Sequence, residues 1–216
     1  MEQSLGVRVP PFALFMIRLL AFFIILCTSS LQAERYSADR SARRYESAQP
    51  KKQRVDIFDF EGEYPELEHI NIDAKRKKNV EFHLTGNYPE LELVNYEGSF
   101  GSLTGKLTGQ FPKLEMINFL CSNCAMQLDL NSNWTQSCEI NIRGMDEDVV
   151  ISLPKDIGLE IHTKVAVKGK VLPCDGLKKK EKLGVLKKTY TNAQAETSPI
   201  ILKINVEVAD GRIILN

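Results

Sequence analysis

Several kinds of chemistry need residues that this sequence scarcely has. Its 216 residues include three histidines, His69, His83 and His162. A zinc centre needs three or four converging ligands, and the strand reading developed below sets His69 and His83 outward on different strands. No serine sits in a Gly-x-Ser-x-Gly elbow, and no glycine-rich phosphate loop precedes a helix. Catalytic, metal and cofactor sites are therefore not expected, and the protein reads as non-enzymatic. Charge of one sign is also missing: 28 Lys and Arg meet 28 Asp and Glu, a formal net charge of zero. General nucleic-acid binders carry a cationic excess, so none is expected to bind here. What is plentiful is apolar surface, at 43% of residues, enough for a real core.

One apolar run stands out, at residues 19–27. Arg8 and Arg18 precede or flank it and Ala33 follows. A basic start, a short apolar stretch and a small residue make a secretory signal, and nine residues fall well short of the roughly 20 that cross a bilayer. Residues 1–33 are therefore read as a signal peptide, with cleavage before Glu34. Cys27 ends the run as a lipoprotein cysteine would, but Leu26 stands where such signals carry a small residue. No later run approaches membrane-spanning length, which places the mature chain in the periplasm, at the cell surface or outside the cell. Residues 34–56 are rich in Arg, Ser and Ala and cannot bury enough to offset their ordering entropy. They read as a basic, disordered tether.

The remainder repeats. Tyr64, Tyr88 and Phe111 each begin a Pro-x-Leu-Glu-x-Ile/Val-Asn segment, at spacings of 24 and 23, and the next step of 23 lands on Trp134, the one tryptophan. Within each unit apolar residues alternate with polar ones twice, as in Val80, Phe82, Leu84 or Met126, Leu128, Leu130. Period-two alternation means a half-buried strand, and a unit with one small apolar face must stack on its neighbours. The expected fold is all-β: a short β-solenoid of about 23-residue, two-strand rungs over residues 57–216. Residues 173–198, with Lys178, Lys179 and Lys180, read as an insertion too polar for a core strand. Residues 200–216 read as a hairpin, turning at Ala209, Asp210 and Gly211, that caps the solenoid end. The Leu-x-x-Ile spacing of Leu67 and Ile70 also suits a leucine-rich-repeat binding protein, the second reading. A small solenoid enzyme acting on glycans is the third.

Four cysteines follow the signal: Cys121, Cys124, Cys138 and Cys174. Outside the cytosol disulfides are the default, and four cysteines allow three full pairings. The repeat register excludes one bond. Cys121 and Cys138 stand six residues of strand apart in the unit, about 20 Å, against the ~7 Å Cα limit of a disulfide. Asn71, Asn95, Asn118 and Asn141 occupy one column and predict an outward, structural ladder of stacked amides. The adjoining outward column holds His69, Leu93, Met116 and Glu139. Two large apolar side chains on a water-facing sheet must be covered, either by residues 173–198 or by a partner, which would make Leu93, Met116 and His69 an interaction face.

The segment from Ile151 to Ile161, the glycine-containing turn after it and the segment from Val208 to Ile214 resemble the adhesin-type, toastrack-like β-solenoid domains of bacterial cell-envelope proteins. The resemblance implies a right-handed solenoid with an envelope-associated or adhesin-like role, and a protein or an envelope polysaccharide as partner.

Overall fold

A chain whose apolar residues recur at every second position buries one side of each strand and leaves the other wet. The computed structural model describes residues 54–180 and 187–216, so the signal and most of the tether lie outside the described residues. Strands β1 to β9 span Asp56–Glu63, His69–Ala74, Asn79–Asn87, Leu93–Gly98, Gly101–Leu107, Met116–Cys121, Cys124–Asp129, Cys138–Gly144 and Val149–Ser152. Strands β10 to β13 span Gly158–Leu172, Lys178–Lys180, Lys187–Thr191 and Ile201–Leu215. The segments that a helical leucine-rich repeat would wind back as helix are strands β3, β5 and β7. Among the described residues, the one helical element is a 3-10 turn at Ala193–Glu196.

The strands form one sheet in the order β1-β3-β5-β7-β9-β13-β8-β6-β4-β2, curled into a half-barrel, and every pairing along this path is parallel. Asp56 pairs with Val80 and His69 with Leu93, a step of 24, because both paths cross the longer Lys75–Lys78 turn. Leu93 then pairs with Met116 and Met116 with Glu139, a step of 23. The unit-opening aromatics stack inside the curl. Ring centroids lie 5.3 Å apart for Tyr64 and Tyr88, 5.6 Å for Tyr88 and Phe111, and 6.1 Å for Phe111 and Trp134. Such contacts add to area burial, and each buried polar tip is satisfied: the Tyr88 hydroxyl donates to the Phe60 carbonyl and Trp134 Nε1 to the Leu130 carbonyl at 2.9 Å.

Strand β1 begins at Asp56, beside the expected start of the domain, and its Phe58 and Phe60 alternate with Asp59 and Glu61 and pack against the core. Two expectations need correction. The C-terminal residues are not a capping hairpin. They form one 15-residue strand, β13, whose first half pairs with β8, whose second half pairs with β9, and whose other flank pairs with β10. Leu202, Ile204, Val206, Val208, Ile213 and Leu215 are all buried, and a strand so apolar gains most with neighbours on both sides. Gly211, at φ +141°, lets it bend where a hairpin would reverse. The cap comes instead from the insertion. Strand β12 pairs antiparallel with β10, β11 pairs with β12, and Thr189, Tyr190 and Thr191 are buried despite their polarity.

Candidate functional site

Parallel, in-register stacking sets each outward residue beside its equivalents about 4.8 Å away. On the side formed by β2, β4, β6, β8, β13, β10 and β12 this yields a polar face three columns wide. The central column is Asn71, Asn95, Asn118, Asn141 and Asn205, followed by His162 and Thr189. Each asparagine Nδ2 donates to the Oδ1 of the one before: 2.8 Å from Asn95 to Asn71, 2.8 Å from Asn118 to Asn95, 3.0 Å from Asn141 to Asn118 and 2.9 Å from Asn205 to Asn141. His162 Nδ1 lies 3.1 Å from the Thr189 hydroxyl and its Nε2 3.1 Å from Glu160 Oε1.

On one flank His69, Leu93, Met116, Glu139 and Lys203 stand in register. Lys203 Nζ meets Glu139 Oε2 at 3.1 Å, and the other oxygen of that carboxylate accepts from Asn205 at 2.8 Å. On the other flank Asp73, Glu97, Leu120, Arg143, Glu207 and Lys164 follow one another. Lys164 pairs with Glu207 and holds its carboxyl below the ordinary carboxylate range. Two hollows lie along this flank. A shallow groove of about 560 Å³ runs beside Asn71, Asn95, Asn118 and Asn141, with Glu97, Leu120 and Arg143 on its margin. A smaller one of about 340 Å³ continues past Asn141 and Arg143 to His162, Lys164 and Lys187.

Met116 is 39% exposed, Leu93 is half-buried and His69 is exposed. The expected cover by residues 173–198 is not seen among the described residues: β11 and β12 sit beyond β10, on the far side of β13 and β8 from Met116. Hence the apolar pair opens onto the face. The three histidines stay apart, His69 on β2, His83 on β3 and His162 on β10.

Among the described residues the cysteines divide into a bonded pair and two free thiols. Cys121 and Cys124 form a disulfide across the β6–β7 turn, where Asn123 takes φ +52°. Cys138 is buried on β8, and burial, with Glu139 and Glu115 adding, pushes its thiol up to about 12. Cys174 is free and half-buried.

Sequence reasoning missed Asn205, His162 and Arg143 as members of the face. For Asn205 a signal was present: Ile204 and Val206 flank it as Ile140 and Ile142 flank Asn141.

No family model matches the chain, and no curated protein matches it. Among solved structures, a candidate cell adhesion protein from Clostridium sporogenes is similar over 57% of this chain and 55% of its own, with 22% identity and a TM-score of 0.40. This chain thus covers about half of that protein's length.

Proposed function

We propose that the protein is a non-catalytic, adhesin-like interaction module that holds an extended envelope or extracellular polysaccharide along its asparagine face. The observation that carries the proposal is the groove beside four hydrogen-bonded amides, with Leu120 on its margin and Leu93 and Met116 across the amide column from it. An inner asparagine commits one N–H and one oxygen lone pair to its neighbours. A second N–H and a second lone pair remain for a ligand, repeated at every strand. Leu120 on the groove margin, and Leu93 and Met116 across the asparagine column, offer apolar surface. Sugar rings present hydroxyls at their edges and C–H groups on their faces, and such a striped surface suits both.

The finer architecture in this reading is a short β-solenoid, one two-strand rung per 23-residue unit, since both sides of the curled sheet advance by the same register. Export belongs to it as well: residues 1–33 read as a signal, residues 34–56 as a tether and residues 57–216 as the binding domain. The Cys121–Cys124 bond suits an oxidising compartment.

The test is binding of the purified protein to a panel of polysaccharides and extracellular proteins. The wild type should bind a polysaccharide. The double variant Leu93→Ser with Met116→Ser should weaken binding about tenfold, equivalent to about 1.4 kcal/mol, with Tm within about 2 °C of wild type. Binding confined to proteins, or unchanged in the variant, would defeat the reading. Release of oligosaccharide products from the same panel would favour the glycan-enzyme alternative.

A further inference from the structure

Past Asn141 the asparagine face changes character. The flanking column that begins with Asp73 and Glu97 ends in Arg143, Glu207, Lys164 and Lys187, one residue each from β8, β13, β10 and β12. All four line the smaller hollow, beside Asn141, Asn205, His162 and Thr189 of the central column. Asn141 and Arg143 also line the longer groove, so a ligand lying in that groove meets the hollow at its end.

The charges at this end of the column do not balance. Lys164 pairs with Glu207, and Arg143 and Lys187 act on the same carboxyl, helping to hold it below the ordinary range. Three cations thus share one carboxylate. Among the described residues, neither Arg143 nor Lys187 has an ion-pair partner of its own. The other carboxylates nearby lie across the asparagine column: Glu139 meets Lys203, Glu160 meets His162 Nε2, and neither lines the hollow.

Strand pairing sharpens the imbalance. Lys164 and Lys187 are direct partners across the antiparallel β10–β12 pair, where facing side chains stand about 5 Å apart and like charges cost stability. The fold gains nothing from that placement, and an anion seated between the two relieves it. Arg143 stands two strands from Lys164, about 10 Å away, and its planar guanidinium suits a carboxylate or a sulfate through two parallel N–H donors. Beside it, Asn141 donates once to Asn118 and keeps a second N–H for the same ligand.

From these features we infer that the hollow is an anion subsite of the asparagine face, and that the polysaccharide held there is acidic, with a carboxylate or sulfate seated among Arg143, Lys164 and Lys187. The inference rests on the proposed polysaccharide binding and adds the charge class of the ligand. It also gives the bound chain a sense along the face. At the far end of the column the carboxylates Asp73 and Glu97 stand in place of these cations, and Lys75 is already held by Glu97.

The test compares polymers that share a backbone and differ in charge: polygalacturonate with its full methyl ester, and dextran sulfate with dextran, at about 0.15 M salt. Wild type should bind at least one charged polymer tenfold or more tighter than its uncharged counterpart, and which one identifies the acid group. The double variant Arg143→Gln with Lys187→Gln should melt like wild type, lose that preference and bind the uncharged counterpart as before. Lys106→Gln, an exposed lysine of β5 away from the face, should keep the preference. Uncharged polymers bound as tightly as charged ones would overturn the inference while leaving the polysaccharide reading in place. A preference that survives in the double variant, or falls equally with Lys106→Gln, would overturn it by showing that the anion is held elsewhere or by overall charge. Binding to none of the four polymers would overturn it too, and the polysaccharide reading would then be decided by its own wider panel. A single-stranded DNA oligonucleotide held as tightly through the same two residues would instead assign the hollow to phosphate polymers.

Discussion

Gly86 occupies a position that no other residue can take without moving the backbone. Its φ is +135°, and a Cβ placed there would lie 1.9 Å from the carbonyl oxygen of Gly62, its partner on β1. Gly86→Ala combines backbone strain with a clash against main chain, and we expect a loss of at least about 3 kcal/mol, readable in urea denaturation. A cost below about 1 kcal/mol would mean that β1 and β3 are not so close. The free thiols give a second test at this scale. Cys138 is buried and its thiol is pushed up to about 12 by that burial, so little thiolate forms near neutral pH. Iodoacetamide labelling of the native protein, mapped by mass spectrometry, should modify Cys174 first and Cys138 only when denaturant is added. Early labelling of Cys138 would place β8 differently.

At the scale of elements, the asparagines act as a chain of bonds across strands. Asn118 donates to Asn95 and accepts from Asn141, whereas Asn71, on the edge strand, only accepts. A net hydrogen bond contributes about 1 kcal/mol, less where water can replace it. Asn118→Ala should therefore cost about 1–2 kcal/mol and Asn71→Ala about half as much, measured as shifts of the urea midpoint at constant slope. Equal costs at the two positions would show that the amides do not stabilise the stack as a ladder. The ion pairs beside the column, Lys203 with Glu139 and Lys164 with Glu207, lie at the surface, where such pairs contribute little stability. Their role is to hold side chains in place.

For the molecule as a whole, β13 is the element on which the others depend. It joins β8 and β9, through partners up to 64 residues away in sequence, to β10. A chain ending at Ser198 would lose six buried apolar side chains and leave one flank each of β8, β9 and β10 unpaired. Exposed edges of that length aggregate. Size-exclusion chromatography should show soluble aggregate in place of the wild-type species, with loss of a cooperative thermal transition. Retention of a sharp melt would mean that β1 to β9 fold without it. An end-capping hairpin, by contrast, could have been removed at little cost to the strands behind it.

The strands from β2 to β9 and the side of each that faces inward were legible in the sequence, because the alternation is local and the repeat states it several times. The asparagine column followed from the same register, since in-register parallel stacking aligns whatever recurs every 23 residues. Tertiary structure alone decided the place of β13. Parallel neighbours need no turn between them, and nothing local in residues 201–215 says which strands will flank them. It also decided that the polar run of Thr189, Tyr190 and Thr191 is buried: the first half of β10, the last of the parallel strands on that side, is covered by β12, whose hydroxyl-tipped residues pack there while their strand supplies backbone hydrogen bonds. The choice of Cys124 as the partner of Cys121, among three pairings open to composition, was made by the turn that brings their Cα atoms to 5.6 Å. Spacing along a chain specifies contacts between neighbouring units; contacts across dozens of residues are selected only when the whole sheet closes.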